Sequence, residues 1–261
     1  MPFERSNWKL TFDDGESPSW PCPHCSRTSL RVNPNLVTIR ETTDSRSSHN
    51  ELAFEVDWIR ERFIWILECT SCQEPVSVTG HVTTHELAPD GSAYIKTFHP
   101  LFVLPPVEFF SMPKNCPLSV KEELAMAFSV FWCSPSAGAN HIRISLECLM
   151  DHLRIKKKRK TKKGTFHRLS LHDRLELFKE RAEDLGDSLL AVKWIGNTGS
   201  HPGELTQHDL FDAFEILEHV LGELFLRRSK QVATLTKVIN KSKGPRSAAE
   251  RRRLARAPSP F

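Results

Sequence analysis

Hydrophobic and polar positions divide the chain into two regions with different periods. Before residue 110 the apolar residues fall in short strand-like runs, in Leu30 to Ile39, Phe63 to Leu67, Val76 to Val82 and Tyr94 to Phe98. From Ser119 onward they recur every three or four residues, as on one face of a helix. This change predicts an α+β protein, with a small β-rich module first and an antiparallel helical bundle second.

Helix-start signals place the bundle more closely. A hydroxyl residue followed three positions later by an acidic residue favours a helix N-terminus, and three such pairs occur: Ser119 with Glu122, Ser170 with Asp173, and Thr206 with Asp209. A further helix carries one apolar face made of Ala139, Ile142, Leu146, Leu149 and Leu153. The last predicted helix is long and bears Leu210, Phe214, Leu217, Leu221, Leu224 and Phe225.

Prolines at 105, 106, 113 and 117 mark the boundary between the two regions, because proline interrupts both ladders and helices. We therefore divide the chain into a β-rich module over 1–110, a helical bundle over 111–240 and a basic tail over 241–261. The tail is poor in apolar residues, which predicts disorder. No apolar run reaches the length of a membrane span and no signal pattern opens the chain, so we expect a cytoplasmic protein without a membrane partner.

Charge is unevenly distributed along the 261 residues, whose formal net charge is +4. Residues 1–110 hold nine basic and 15 acidic residues, which argues against phosphate binding by that half. The excess of cations lies in two runs, 154–163 and 241–256. Such runs are either solvated segments or contacts for the phosphates of RNA or DNA. The candidate phosphate contacts are Lys156, Lys157, Lys158, Arg159, Lys160, Lys162 and Lys163. No aromatic residue interleaves with either run, so base stacking is not expected there.

Four of the seven cysteines form two Cys-x-x-Cys pairs, Cys22 with Cys25 and Cys69 with Cys72. Each pair adjoins a strand-like segment, as in a zinc ribbon, where two knuckles converge on one tetrahedral ion. Forty-three residues separate the pairs, so a long polar insertion is expected between them. A redox pair would normally occur once, at the start of a helix. The sequence thus predicts a zinc ribbon with one structural Zn²⁺.

A polar turn follows the predicted helix that ends near Val192. It includes Gly196, Asn197 and His201. One interpretation is a helix stop, with Gly196 or Asn197 in the left-handed region. The other is a functional site, in which His201 beside Asn197 transfers protons or binds phosphate while Lys193 supplies positive charge.

Two motifs in this half resemble the domain-of-unknown-function family 4145, a bacterial HEPN-like helical domain. The first is Ala137-Gly138-Ala139-Asn140-His141-Ile142-Arg143-Ile144-Ser145-Leu146-Glu147-Cys148-Leu149, and the second is the turn at Gly196, Asn197, Gly199 and His201. The resemblance covers residues 118 to 226. It implies a HEPN-like bundle behind the cysteine module, in a protein of bacterial defence, regulation or RNA-linked processes.

HEPN domains include metal-independent ribonucleases whose paired motifs meet across a dimer, so the resemblance also implies a homodimer. Their motif begins with an arginine, and Gly196 stands at that position here. Lys193 or Arg143 would then have to stabilise the charge on the scissile phosphate; alternatively, Arg143 forms a local pair with Glu147. The first hypothesis is an interaction or nucleic-acid-associated module that does not cut. The second is a ribonuclease or toxin-type effector using His201 and Asn197.

Overall fold

The computed structural model describes residues 3–27, 30–87, 93–160, 164–198, 205–226 and 228–245. Its first half forms one antiparallel sheet with the strand order β1-β5-β4-β3-β2. The strands are β1 (Phe12–Asp13), β2 (Leu30–Glu41), β3 (Arg60–Cys69), β4 (Pro75–Glu86) and β5 (Tyr94–Leu104). A five-stranded sheet is larger than the two hairpins of a minimal ribbon, because the 76–104 region contributes two full-length strands.

Alternation along the strands separates an inner and an outer face of the sheet. In β3 the odd-numbered residues from Glu61 to Cys69 are buried, and the even-numbered residues point to the other side. β4 repeats this pattern with its even-numbered residues inward. The inner face therefore packs on the core, and the outer face, which includes Arg62 and Ile64, is open to solvent.

The polar insertion expected between the cysteine pairs is the connection from β2 to β3. It contains a short helix α1 (Thr43–Ser48) and a 3-10 turn (Val56–Trp58). The Thr42 hydroxyl accepts a hydrogen bond from the Ser45 amide and so caps α1. This connection lies over one end of the outer face.

The second half is helical among the described residues. Its α-helices are α2 (Leu118–Val130), α3 (Pro135–His152), α4 (Leu171–Lys179), α5 (Glu183–Thr198), α6 (Gln207–Leu221) and α7 (Arg228–Ser242), and a small hairpin of β6 (Lys158–Lys160) and β7 (Phe166–Arg168) joins α3 to α4. The α+β prediction is confirmed at this level.

Two of the three predicted capping boxes are present. Ser170 with Asp173 caps α4, and Thr206 with Asp209 caps α6, with both reciprocal hydrogen bonds formed. The prediction for Ser119 was wrong, because α2 already begins at Leu118 after Pro117. Pro117 itself is the N-cap residue and has no side-chain acceptor, so Ser119 lies inside the first turn and no side chain caps the helix.

An aromatic cluster joins the sheet to the helices in one continuous core. Trp20 meets Trp132 at 4.7 Å between ring centroids, and Trp8 meets Phe109 at 4.3 Å. Phe109 also stacks on Phe214 of α6 at 5.0 Å. Because large aromatic rings bury the most apolar area per residue, this cluster is the main link between the two halves.

The last predicted helix is interrupted rather than continuous. After Leu221 the backbone forms a π-helical segment, Gly222–Leu226, before α7 begins. Val232 and Ile239 of α7 remain largely exposed. No described helix combines the length and the apolar character needed to cross a membrane. The predicted disorder of the tail concerns residues that lie mostly outside the described part of the chain.

Candidate metal centre and cationic surfaces

The fold brings the four predicted cysteines together. Their sulfur atoms all lie within 4.8 Å of one another. The Sγ atoms of Cys22 and Cys72 are 3.6 Å apart, and those of Cys25 and Cys69 are also 3.6 Å apart. A disulfide would need about 2.05 Å, so these are four separate thiols. His24 points outward from the first knuckle and is not part of the group.

The two knuckles have matching backbones. The Ser26 amide donates to the Cys22 carbonyl at 2.9 Å, and the Gln73 amide donates to the Cys69 carbonyl at 2.9 Å. Ser26 and Gln73 both adopt positive φ, at 55° and 62°. The first knuckle leads into β2 and the second follows β3, which pair with each other through Leu30 and Cys69. Strand pairing therefore closes the 43-residue gap between the pairs.

The sulfur spacing fits a metal ion. Four thiolates at about 2.3 Å from a tetrahedral zinc ion lie about 3.8 Å from one another. The observed 3.6 Å contacts are close to that edge length. The Ser71 amide also donates to the Cys69 sulfur at 3.4 Å, as expected around a negatively charged thiolate. The cluster can thus hold one metal ion with no open coordination position.

The first basic run folds into an exposed hairpin. Lys158 pairs with Arg168, Arg159 with His167 and Lys160 with Phe166, and every residue of β6 and β7 is exposed. Phe166 is 71% exposed. No aromatic residue lies within the run itself, but strand pairing sets Phe166 opposite Lys160. Lys162 and Lys163 lie outside the described residues.

Asp151 holds the base of this hairpin to the helices. Its carboxylate accepts from Lys157 Nζ and from Arg174 of α4, each at 2.6 Å. Arg174 is buried and also donates to the Ile155 carbonyl at 3.2 Å. Burial raises the pKa of Asp151, but the two cationic donors outweigh it and hold the pKa below its usual range.

A groove of ≈ 370 Å³ runs beside the hairpin between α3 and α4. Along α3 it is lined by Arg143, Glu147 and Asp151, one turn apart. The local pair between Arg143 and Glu147 is not formed: in the described part of the chain no ion pair involves Arg143.

Gly196 and Asn197 do not end their helix, so the predicted helix stop there was wrong. α5 continues through Thr198, and neither residue has positive φ. A Cβ added to Gly196 would lie 3.3 Å from the Ala139 carbonyl oxygen and 3.3 Å from Arg143 Cβ. Glycine is needed here for the close crossing of α5 and α3. Asn197 is half-buried beside it. His201 lies outside the described residues.

Lys193 is a buried cation near the same crossing. Its Nζ lies 3.3 Å from the ring centroid of Trp194, which is 56% exposed. Burial and then the nearby Arg143 guanidinium lower the pKa of the Lys193 ammonium. Two cations, Lys193 and Arg143, therefore approach the end of α5. No described carboxylate forms an ion pair with either.

Residues 125–242 match the family model of a domain of unknown function, DUF4145. This match supports the resemblance found in the sequence over that range, which extends through α7. Residues 10–106 match a second domain of unknown function, DUF8608. No curated protein and no solved structure matches the chain.

Proposed function

We propose that this protein binds nucleic acid through the β6–β7 hairpin of its helical region. The observation that carries the proposal is the exposed hairpin itself, in which cations from two strands flank an exposed aromatic ring. Lysine and arginine gain affinity for phosphates by releasing counterions. Phe166 is the first residue of β7, and its exposed ring offers a face on which a base can stack.

The paired strands of the hairpin favour phosphate binding over the alternative that the basic run is only a solvated loop. A two-stranded ribbon presents cations on both strands at fixed spacing, so less chain entropy is lost when phosphates are bound. Asp151 fixes the ribbon base through Lys157 and Arg174, both at 2.6 Å. The resemblance to HEPN-like domains supports RNA as the ligand, within bacterial defence or regulation.

In this proposal the four cysteines hold a structural Zn²⁺. Cys22, Cys25, Cys69 and Cys72 would fill all four positions of a tetrahedral ion, which leaves none for a substrate. Their role is then to fix the ends of β2 and β3. Metal analysis of the purified protein should find about one zinc per chain; four free thiols without metal would contradict this part.

The hairpin is tested by changing its charge without changing its strands. The variant Lys158→Gln, Arg159→Gln, Lys160→Gln should bind a fluorescein-labelled single-stranded RNA about tenfold more weakly at low salt. It should also reduce the slope of log affinity against log salt by about 2, because about 0.7 counterions are released for each contact with a single strand. Fluorescence anisotropy over a KCl series measures both.

A matched control removes three exposed cations elsewhere: Lys9→Gln, Lys114→Gln and Arg181→Gln. For this variant the slope of log affinity against log salt should stay within about 0.7 of the wild-type value, which corresponds to one phosphate contact. Equal losses in the two variants would mean that net charge, rather than the hairpin, governs binding. An unchanged slope in the hairpin variant would exclude the hairpin as the site.

A second candidate is a metal-independent ribonuclease in which His201 and Asn197 act across a homodimer. The observation that favours it is that Arg143 lies close enough to Lys193 to lower its pKa, at the helix crossing where Gly196 packs against the Cα and Cβ of Arg143. Two cations at that point can supply the positive charge that a glycine cannot. Lys193, with its lowered pKa and no described carboxylate partner, is suited to such a role.

Cleavage of labelled RNA by wild type and by His201→Ala tests this candidate. Activity in wild type that disappears in His201→Ala and persists in the control His208→Ala would support it. No cleavage by wild type, or equal cleavage by all three proteins, would exclude the ribonuclease. Nucleic-acid binding would then be the only one of the two candidate functions left. Light scattering on the same samples tests the dimer.

A further inference from the structure

The outer face of the five-stranded sheet carries a row of basic and imidazole side chains. Arg40 of β2 lies opposite Arg62 of β3, Arg62 lies opposite His81 of β4, and His81 lies opposite His99 of β5. Four neighbouring strands at about 4.8 Å spacing make this row about 14 Å long. Arg60 adds a further cation in the adjacent row, opposite Thr83.

Like charges placed directly opposite each other in a sheet are destabilising, so this row needs an explanation. Within the described residues, neither Arg40 nor Arg62 forms an ion pair. The acidic side chains near this face lie at its margins: Asp13 is at the β1 edge, Glu68 lies towards the cysteines, and Asp44, Glu51, Glu55 and Asp57 belong to the connection from β2 to β3. The acidic excess of the first half therefore does not neutralise the row.

The two imidazoles form one stacked unit. The rings of His81 and His99 are 4.6 Å apart and nearly parallel, at 9°. His99 also contacts the Thr83 hydroxyl at 3.0 Å. Burial, followed by Arg62 and Arg60, lowers the pKa of His81. Near neutral pH this pair therefore presents uncharged N–H donors beside the guanidinium groups, a combination that suits phosphate oxygens.

Exposed apolar side chains lie next to the cationic row. The adjoining row contains Ile64, opposite Thr79, and Phe102, opposite the same threonine from β5. Ile64 is 50% and Phe102 is 56% exposed. An aromatic ring and a large aliphatic side chain on an open sheet have no described protein partner above them, so they are available to a ligand.

A cleft of ≈ 480 Å³ lies along the middle of the row, on the side away from Ile64 and Phe102. It is bounded below by Arg60, Arg62 and His81 and above by the α1 connection. Trp58, which is 38% exposed, forms one wall. Aromatic rings thus lie at two separated points of the face, with guanidinium and imidazole groups between them.

We propose that the outer face of the sheet binds single-stranded RNA, with phosphates on the Arg40–Arg62–His81–His99 row and bases stacked on Phe102 and Trp58. Cations tracking a backbone beside aromatic platforms are the combination by which proteins bind single strands. A duplex would keep its bases paired and could use only the cations. This inference extends the proposed nucleic-acid function to a second, separate surface of the chain.

The test compares a sheet variant, Arg40→Gln with Arg62→Gln, with the hairpin variant and with the combination. The probe is a fluorescein-labelled oligouridine of about 12 nucleotides, measured by anisotropy over a KCl series. The sheet variant should weaken binding about fivefold or more and lower the salt slope by about 1.4, for two lost contacts. An unlabelled RNA duplex of equal length should compete poorly for the remaining sheet site in the hairpin variant.

A second variant tests stacking without changing charge. Phe102→Ala should weaken binding roughly tenfold, whereas Tyr94→Ala, on the opposite face of β5 and 49% exposed, should have no effect. Equal thermal melting and metal content in all variants show that the sheet remains folded. Because both changes are at exposed positions, loss of folding is not expected.

The outcomes separate the two proposals. Weakened binding in both single variants and a further loss in the combination support both surfaces. Wild-type affinity in the sheet variant, with a loss in the hairpin variant, overturns the sheet site alone. The reverse pattern overturns the hairpin function and leaves the sheet site. Wild-type protein that binds no RNA, or duplex competition equal to single-strand competition, overturns the sheet proposal.

Discussion

The two cationic surfaces of this protein are built in opposite ways. In the β6–β7 hairpin the cations are neighbours in sequence, and the run from Lys156 to Lys160 is visible in the sequence itself. On the sheet the cations come from two paired strands, with Arg40 and Arg62 22 positions apart and directly opposite each other, and the row continues as imidazoles on the next two strands. The hairpin surface can therefore be recognised from a run of basic residues in the sequence. The sheet surface can be recognised only once the register of the strands is known.

This difference explains why overall charge is a poor guide to where phosphate can bind. The first 110 residues are net acidic, yet their acidic residues lie mainly off the central rows of the outer face. Alternation with period 2 sends every second residue of a strand to the same side. The sign of a sheet face is therefore set by half of the residues, and that half can differ from the average.

Removing a metal ligand should give the largest effect, and this effect should be greater in the sheet than in the helical region. If Cys69 binds the proposed zinc, Cys69→Ser should reduce the free energy of unfolding by about 4 kcal/mol or more, because metal binding is coupled to folding. Hydrogen exchange should accelerate most in β2 and β3, which the metal joins. Exchange in α6, at the far side of the core, should change less.

Cys133→Ser is the matched control, because Cys133 is exposed and lies outside the cluster. It should leave both stability and exchange unchanged. Unaltered exchange in β2 and β3 of Cys69→Ser would show that the cluster does not stabilise the sheet. Equal acceleration in all elements would show that the two halves unfold together.

A smaller but more selective disruption is expected at Gly80. It lies in β4 at the register shift next to Thr79, beside the row that contains His81. A Cβ added there would lie 2.0 Å from the His99 carbonyl oxygen, which is backbone and cannot move away cheaply. Gly80→Ala should therefore cost about 3 kcal/mol in chemical denaturation, and it should impair the sheet surface but not the hairpin.

Gly222→Ala serves as its control. Nothing lies within 4 Å of a Cβ at Gly222, whose backbone is helical. There alanine should be neutral or stabilise by about 0.5 kcal/mol, because glycine is disfavoured in helices. A Gly80→Ala protein as stable as wild type would mean that the β4–β5 bulge can relax, and the rigid spacing of the row would then be in question.

Local signals in the sequence predicted much of the fold. The Ser170 and Thr206 capping boxes and the apolar face of α3 depend on residues three or four apart, and the structure contains all of them. The cysteine pairs could be matched because Cys-x-x-Cys is a local pattern that recurs. The four cysteines then converge through strand pairing.

Features that depend on contacts between distant residues were missed. Gly196 was interpreted as a helix stop. Its lack of a side chain instead leaves room for Arg143, which belongs to another helix. Phe166 lies six positions beyond Lys160 and became part of the basic surface only through hairpin pairing. In each case the deciding partner comes from another turn, strand or helix.

The smallest expected effect concerns how the hairpin is fixed, and it involves Asp151. Asp151→Asn would weaken the bonds to Lys157 and to the buried Arg174. A hydrogen bond to a buried charged group is worth about 2 kcal/mol, and the 42% exposure of the Asp151 side chain keeps the loss near or below that figure. Urea denaturation measures it. Asp187→Asn, which removes an exposed pair with Lys179, should change stability much less, because solvent screens an exposed pair.

Acid should reproduce the Asp151 effect in the wild-type protein. Because its folded pKa is lowered, the carboxylate contributes stability above its unfolded pKa of about 3.9, and that contribution is lost as pH falls through the lower folded pKa. The stability difference between wild type and Asp151→Asn should therefore shrink below about pH 4. A difference that stays constant down to pH 2 would mean that Asp151 acts by packing. In that case the hairpin would be held by its strand pairing and by the bond from Arg174 to the Ile155 carbonyl.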